Sequence, residues 1–220
     1  MDGSRPLRGV LPPAVAVVET RADHAAELWP AEAAVVAGAA PARQAEFATG
    51  RWCARAALDA LGEPAVPLVP GPRRAPSWPD GVVGSLTHCA GYRAAAVARA
   101  NQFRAIGVDA EPNLPLSEAV LTRVSSEAER AGVGALGRSQ PGIAWDRLLF
   151  SAKESVYKAW SVLTQAPLGF ADAVVGFGAD GTFAFALRAT LRPALAEPLV
   201  WHAAWAVGDG IAVTAVWAYA

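Results

Sequence analysis

Leu148-Leu149-Phe150-Ser151-Ala152-Lys153-Glu154-Ser155-Val156-Tyr157-Lys158-Ala159-Trp160 is the stretch around which the rest of the chain falls into order. Trp145, Leu149, Ala152, Val156, Ala159 and Leu163 recur three and four residues apart, the spacing that forms one apolar stripe on an α-helix. The stretch therefore reads as a core helix. At 100° per residue, Glu154 and Lys158 point about 200° away from Ala152 and Val156, one turn apart on the polar face. Taken alone, an acid four residues before a base is an ordinary surface pair that stabilises a helix by about 0.2–0.5 kcal/mol. A chemical role for it needs a second element.

Ile106-Gly107-Val108-Asp109-Ala110-Glu111-Pro112 supplies that element. The alternation reads as a short strand, so Asp109 and Glu111, two apart, share a face. Pro112, lacking an N–H, ends the pairing there. The plain reading is two solvated acids at a strand end. Brought against the polar face of the helix, they would form a cluster of three carboxylates with Glu154. Such a cluster calls for a hard cation, and Mg²⁺, which takes oxygen ligands and commonly shares them with substrate phosphates, suits it.

The chain has 220 residues, 53% hydrophobic and 18% charged, with a formal net charge of −1. That is a folding composition with room for one large domain or two small ones sharing a core. No bulk field recruits nucleic acid or an anionic membrane, so anion binding must be local. Cys53 and Cys89 are too few for a disulfide framework and show no zinc spacing, so both are expected to be reduced and buried. Pro12-Pro13 interrupts the apolar run near the start, which argues for a first strand rather than a signal peptide. No apolar segment reaches the roughly 18 residues of a membrane span. A soluble, cytoplasmic protein is the expectation.

In order, Pro13 to Thr20 reads as a strand and the alanine-rich Asp23 to Gly38 as a helix. Pro41 opens the next helix, which Gly62 stops, with Phe47, Ala54, Leu58 and Leu61 on one face. Arg43, Arg51 and Arg55 lie off that face, either as a solvated edge or as phosphate-binding guanidinium groups. Six prolines between Pro64 and Gly81 surround Arg73-Arg74 in a loop long enough to be functional. Val82 to Leu86 reads as a strand entering a turn at Thr87-His88-Cys89-Ala90-Gly91, and Tyr92 to Ala98 as its partner. Thr87 and His88 at such a turn would suit a phosphate, although a lone histidine is more often structural. Further on come a helix near Ser117 to Val124, a capping box at Ser126 and Glu129, a flexible Gly132 to Gly142, and the core helix. Hairpins around Asp180-Gly181 and Asp209-Gly210 close the chain. The fold class is α+β: two subdomains, 1–105 and 106–220, each an antiparallel sheet packed with helices, meeting near residue 105.

Gly84-Ser85-Leu86-Thr87-His88-Cys89, Ile106 to Glu111 and Phe150-Ser151-Ala152-Lys153-Glu154-Ser155-Val156-Tyr157-Lys158, in that order and spacing, resemble the three signature motifs of the 4′-phosphopantetheinyl transferases. Arg43 to Phe47, Gly50 to Arg55 and Trp78-Pro79-Asp80-Gly81 look like the branch typified by the enterobactin synthetase component and the surfactin-type enzymes. The resemblance runs from about residue 10 to 165. It implies two pseudo-symmetric halves in a monomer, with coenzyme A and Mg²⁺ between them at the interface. The implied reaction is transfer of the phosphopantetheine arm of coenzyme A to a serine of an acyl, aryl or peptidyl carrier protein, with adenosine 3′,5′-bisphosphate released. Asp109, Glu111 and Glu154 match the family's metal ligands, and Glu154 also its proposed base. Lys158 matches the lysine at the coenzyme A phosphates, Thr87 and His88 the pair at the 3′-phosphate, and Arg43 and Arg51 basic residues around the nucleotide. Arg73 and Arg74 stand where many relatives have a lysine, Arg73 being the better aligned. A Mg²⁺-dependent pyrophosphate hydrolase and a non-catalytic carrier-binding module are the competing readings. Siderophore, polyketide, nonribosomal peptide and fatty-acid carriers are all open.

Overall fold

The computed structural model describes residues 5–71, 75–178, 180–195 and 197–220. Two three-stranded antiparallel sheets form its centre, β1 (Ala16–Thr20), β3 (Tyr92–Arg99) and β2 (Val82–Cys89) in that order, and β4 (Phe103–Pro112), β8 (Ile211–Tyr219) and β7 (Trp201–Gly208). A hairpin of β5 (Ala173–Phe177) and β6 (Phe183–Leu187) stands beside the second sheet and touches it through a Thr182–Ala204 bridge. Six α-helices and two short 3₁₀ helices complete the fold among the described residues, the α-helices being α1 (Pro6–Val10), α2 (Pro30–Val36), α3 (Pro41–Ala60), α4 (Glu118–Val124), α5 (Glu127–Ser139) and α6 (Trp145–Thr164). The expected α+β arrangement of antiparallel sheets packed with helices is present.

The two sheets meet edge to edge. β2 and β4 are both edge strands, whose free N–H groups would be a liability if left bare. Instead the Ser85 hydroxyl accepts the N–H of Val108 at 3.1 Å and the Thr87 hydroxyl that of Ala110 at 2.9 Å. Both partners advance by two residues, so the strands run in the same direction, joined by side chains. A single apolar core crosses this seam, taking Tyr92, Ala94 and Ala96 from one sheet, Ile106, Val108 and Val213 from the other, and Leu7 and Leu11 from the chain's start.

The long helices lie one on each sheet. Cys53, Ala54, Ala57 and Leu58 of α3 pack with Ala95 and Val97 of β3. The stripe of α6 packs with Ala105, Ala212 and Val216, and its members Trp145, Leu149, Ala152, Val156 and Ala159 are all buried. Gly107 allows that contact, because a Cβ there would sit 2.6 Å from the Ala159 nitrogen and closer still to the Ser155 carbonyl. Asp209 and Gly210, at φ 47° and 74°, make the two-residue turn of the last hairpin, as an Asp-Gly pair favours.

Some local expectations give way to tertiary structure. The helix expected over Asp23–Gly38 is confined to Pro30–Val36, because Asp23 is drawn to Arg93 at 3.1 Å and the His24 N–H to the Thr49 hydroxyl at 2.9 Å. The His24 ring stacks on Trp52 at 3.7 Å. The first strand begins at Ala16 rather than Pro13. Thr87 and His88 lie within β2, and the turn comes at Ala90-Gly91. Gly132 to Ser139, expected to be flexible, is helical, since the Ser126–Glu129 capping box starts α5 and Val133 and Leu136 pack into the α6 core. No described helix is long and apolar enough to cross a membrane. Cys53 and Cys89 are free and buried, as expected.

Candidate active site

A cleft of about 840 Å³ runs along the seam between the halves, and Arg43, Arg51, Thr87, His88, Asp109 and Lys158 all line it. Each comes from an element with its own reason for being there. α3 turns its apolar side to the first sheet and presents Arg43 and Arg51 to the cleft. β2 presents Thr87 and His88, β4 presents Asp109, and α6 reaches across with Lys158.

The Lys158 ammonium joins the two signature elements. It donates to Asp109 Oδ1 at 2.8 Å and to the Val108 carbonyl at 2.9 Å. The Thr87 hydroxyl also donates to Asp109 Oδ1, at 3.4 Å, while accepting from the Ala110 N–H. Asp109 Oδ2 is buried and has no hydrogen-bond partner. An orphaned carboxylate oxygen is costly and suits a further cation or donor.

At the other side of the cleft, Glu46 bridges Arg43 and His88. Arg43 pairs with Glu46 Oε2, His88 Nδ1 lies 3.0 Å from Glu46 Oε1, and Arg43 Nη1 is 3.1 Å from His88 Nε2. A neutral imidazole donating from Nδ1 and accepting at Nε2 satisfies both contacts. About half of the His88 side chain is open to solvent, yet partial desolvation in the cleft wall, with Arg43 and Lys158 adding to it, lowers its pKa against the pull of Glu46. Arg51 is only 6% exposed. It lies over the Phe47 ring at 4.0 Å, its Nε without a hydrogen-bond partner, and burial lowers its pKa to about 10, opposed by Glu32.

Glu154 lines a smaller recess of about 300 Å³ with Lys153, Leu168 and Phe170. Tyr157 borders both this recess and the cleft. Burial and the charge of Asp109 raise the Glu154 pKa, with Lys158 opposing. Burial and Asp109 likewise raise that of Glu111, against Arg147, which holds its carboxylate at 3.0 Å. Asp109 thus acts electrostatically on both of the other acids. Among the described residues no three His, Cys, Asp or Glu side chains are gathered into a metal cage; Lys158 and Arg147 meet two of the carboxylates instead. Glu154 and Glu111 do not line the cleft with Asp109, so the expected cluster of three carboxylates is not assembled; among the described residues the open Asp109 Oδ2 is the one oxygen there suited to a hard cation.

Residues 31–98 match the 4′-phosphopantetheinyl transferase N-terminal domain, and residues 105–215 the 4′-phosphopantetheinyl transferase superfamily. The chain is 51% identical over 202 residues to the 4′-phosphopantetheinyl transferase Svp of Streptomyces mobaraensis, covering 88% of this chain and 80% of that protein. The chain belongs to this superfamily. It is 44% identical over 201 residues to the 4′-phosphopantetheinyl transferase Npt of Nocardia iowensis, with 87% and 89% of the two chains covered. Enterobactin synthase component D of Salmonella typhi is 40% identical over 121 residues, 54% of this chain and 49% of that one.

Within this transferase fold, six of the residues singled out from sequence meet in one cleft, Glu154 adjoins it across Tyr157, and Glu111 is held by Arg147. Arg73, and Arg74 beside it, lie outside the described residues. Sequence reasoning passed over Glu46, although its place three residues after Arg43 marks it as that arginine's partner. Ser85 and Arg147 were also missed; nothing local marks a hydroxyl that will cap another strand's N–H. Lys153 was missed as well: it is 3% exposed, and its ammonium is held by Glu129 and by the Phe170 carbonyl at 2.8 Å.

Proposed function

We propose that the cleft takes coenzyme A and that the protein transfers its 4′-phosphopantetheine arm to a serine of an acyl, aryl or peptidyl carrier protein, as a holo-[acyl-carrier-protein] synthase. The convergence of Arg43, Arg51, His88 and Lys158, from both halves of the chain, on one seam cleft carries this reading. Coenzyme A offers a 3′-phosphate and a pyrophosphate, and guanidinium, imidazole and ammonium donors are suited to those groups. On this reading residues 1–105 grip the nucleotide, Thr87 and His88 at the 3′-phosphate and Arg43 and Arg51 around it, with Arg73 assigned by resemblance alone. Residues 106–220 carry the chemistry.

The serine oxygen bonds to the β-phosphorus and the bond from that phosphorus to the departing adenosine 3′,5′-bisphosphate breaks. Glu154 takes the hydroxyl proton, directly or through water; a cation beside it would lower its pKa and leave it a weak base, so positioning and electrostatics carry most of the rate. Lys158 carries its charge to the pyrophosphate, where negative charge builds as the leaving group departs. By resemblance alone, Asp109, Glu111 and Glu154 would hold Mg²⁺, which supplies further neutralisation of the pyrophosphate oxygens. Positioning across the seam accounts for the rest of the acceleration.

Intact-mass measurement of apo carrier proteins incubated with the enzyme, coenzyme A and Mg²⁺ tests the proposal. The expected result is a gain of one phosphopantetheine arm, abolished by Asp109→Ala in protein that still melts cooperatively. Coenzyme A breakdown without a carrier, or full transfer by Asp109→Ala, would overturn it.

A further inference from the structure

Glu32 is fully buried yet lines no part of the cleft. Its carboxylate is a node for three segments. Oε2 accepts the N–H of Trp29 at 3.1 Å, fixing the start of α2, and pairs with Arg55 of α3. Oε1 accepts the N–H of Leu68 at 2.9 Å and lies 3.7 Å from Arg51 Nε. Leu68 leads directly into a small ribbon in which Ser77 donates to the Val69 carbonyl at 3.1 Å and Pro70 pairs with Pro76.

Each of these segments goes on to build a wall of the cleft. Val35 and Val36 come from α2, Arg51 from α3, and Pro70 and Pro76 from the ribbon. The two arginines at Glu32 are not equivalent. Arg55 has other support, donating to the Glu27 carbonyl at 2.6 Å and lying over the Trp29 ring at 4.0 Å. Arg51 also lies over a ring, Phe47, and the Nε of each arginine lacks a hydrogen-bond partner; Arg51 differs in being nearly as buried as Glu32, with that carboxylate as its nearby counter-charge. A buried guanidinium deprived of its counter-ion is strongly disfavoured and shifts toward solvent.

We infer that Glu32 is a positioning residue for coenzyme A, holding Arg51 charged and aimed into a preformed nucleotide wall. The inference rests on the reading of the cleft given above. A carboxylate serving packing alone would weaken the fold when neutralised, with no particular dependence on Arg51. A carboxylate acting through Arg51 makes the two residues' contributions to nucleotide affinity inseparable.

The test is a double-mutant cycle of Glu32→Gln and Arg51→Met, read by calorimetric coenzyme A binding and by steady-state kinetics, with thermal melts confirming folded protein. Glu32→Gln should weaken coenzyme A binding about tenfold and raise KM to match, while kcat at saturating coenzyme A stays within about twofold, because Glu154 and Lys158 are on α6. In an Arg51→Met background the same change should cost less than about twofold. Losses that multiply, or a fall confined to kcat, would overturn the inference while leaving the cleft reading intact. Failure of the unaltered protein to bind coenzyme A would overturn that reading and this inference with it. Should Glu32→Gln not fold, Glu32→Asp, which keeps the charge and shortens its reach, enters the same cycle under the same criteria.

Discussion

Gly107→Ala is the sharpest test of the geometry at the seam. β4 and α6 approach so closely there that a methyl group on residue 107 would lie 2.6 Å from the Ala159 nitrogen and nearer still to the Ser155 carbonyl, where ordinary contact begins at 3.4 Å, so the two backbones must part by more than about 0.8 Å. Both obstructing groups, the Ala159 nitrogen and the Ser155 carbonyl, are helix backbone and cannot swing aside. The displacement falls two residues from Asp109 and at Ser155 and Ala159, the α6 neighbours of Glu154 and Lys158, so it opens the 2.8 Å contact that joins the elements. A misplacement of about 1 Å can cost about 10²-fold in rate, and overpacking costs about 1–3 kcal/mol. For a chain of this size that corresponds to a fall of about 2–12 °C in Tm. The assay is kcat for carrier modification by intact mass, paired with a thermal melt. Gly176→Ala in β5, where a Cβ meets nothing within 4 Å, is the control and should leave both unchanged. Wild-type kcat and Tm in Gly107→Ala would refute the claim that tight seating of α6 on β4 sets the site.

Two further outcomes are expected. His88, half exposed, has its pKa lowered from 6.5 by partial desolvation in the cleft wall, so the unfolded chain holds this proton more readily. The group's contribution to stability is therefore present above about pH 6.5 and declines as pH falls toward the folded value. A phosphate brought beside the ring favours the imidazolium, so coenzyme A binding should take up protons near pH 6.5, measured by calorimetry in buffers of differing ionisation enthalpy. His88→Gln should abolish the uptake, and an uptake unchanged in that variant would remove His88 from the phosphate site. In the core, Lys153 and Glu129 form an ion pair whose side chains are each 2% exposed. Glu129→Gln should cost about 3–5 kcal/mol, a Tm loss of about 6–20 °C. Adding Lys153→Met should recover part of it, because no unpaired ammonium remains, while the amide oxygen can accept only one of the Val175 and Ser126 N–H groups that reach separate carboxylate oxygens. A melt within 2 °C of wild type for Glu129→Gln alone, about the smallest shift that 1 kcal/mol produces, would refute the assignment.

How much of this was legible in the chain depends on whether the cause was local. The stripe of α6 announced itself because burial there follows a 3.6-residue period, and the last hairpin because Asp209-Gly210 tolerates positive φ. Thr87, His88, Asp109 and Lys158 could be singled out because their residue types recur in an ordered set of motifs, and they share a cleft. Asp23–Gly38 misled because alanine-rich composition reports intrinsic helix preference, whereas Arg93, Thr49 and Trp52, far away in sequence, hold Asp23 and His24 out of a helix. Gly132–Ser139 misled for the opposite reason, since a capping box and two apolar contacts outweigh three glycines.

Glu32, Glu129 and Lys153 belong to a third kind, and they bear on how such a site is built. Read locally, Glu32 is a first-turn acid, Glu129 half of a capping box, and Lys153 a base one position from the apolar stripe. Each keeps that local role and gains a distant one: Glu32 reaches Leu68 and the α3 arginines, and Glu129 reaches Lys153 and the Val175 N–H at 2.9 Å. Burying a carboxylate is tolerable only when several donors converge on it, and at Glu32 those donors come from segments that each furnish a cleft wall. One carboxylate that does not face the cleft thus ties together segments that line it. Substitutions at those hidden acids should alter nucleotide affinity or stability well before they touch the reacting groups on α6.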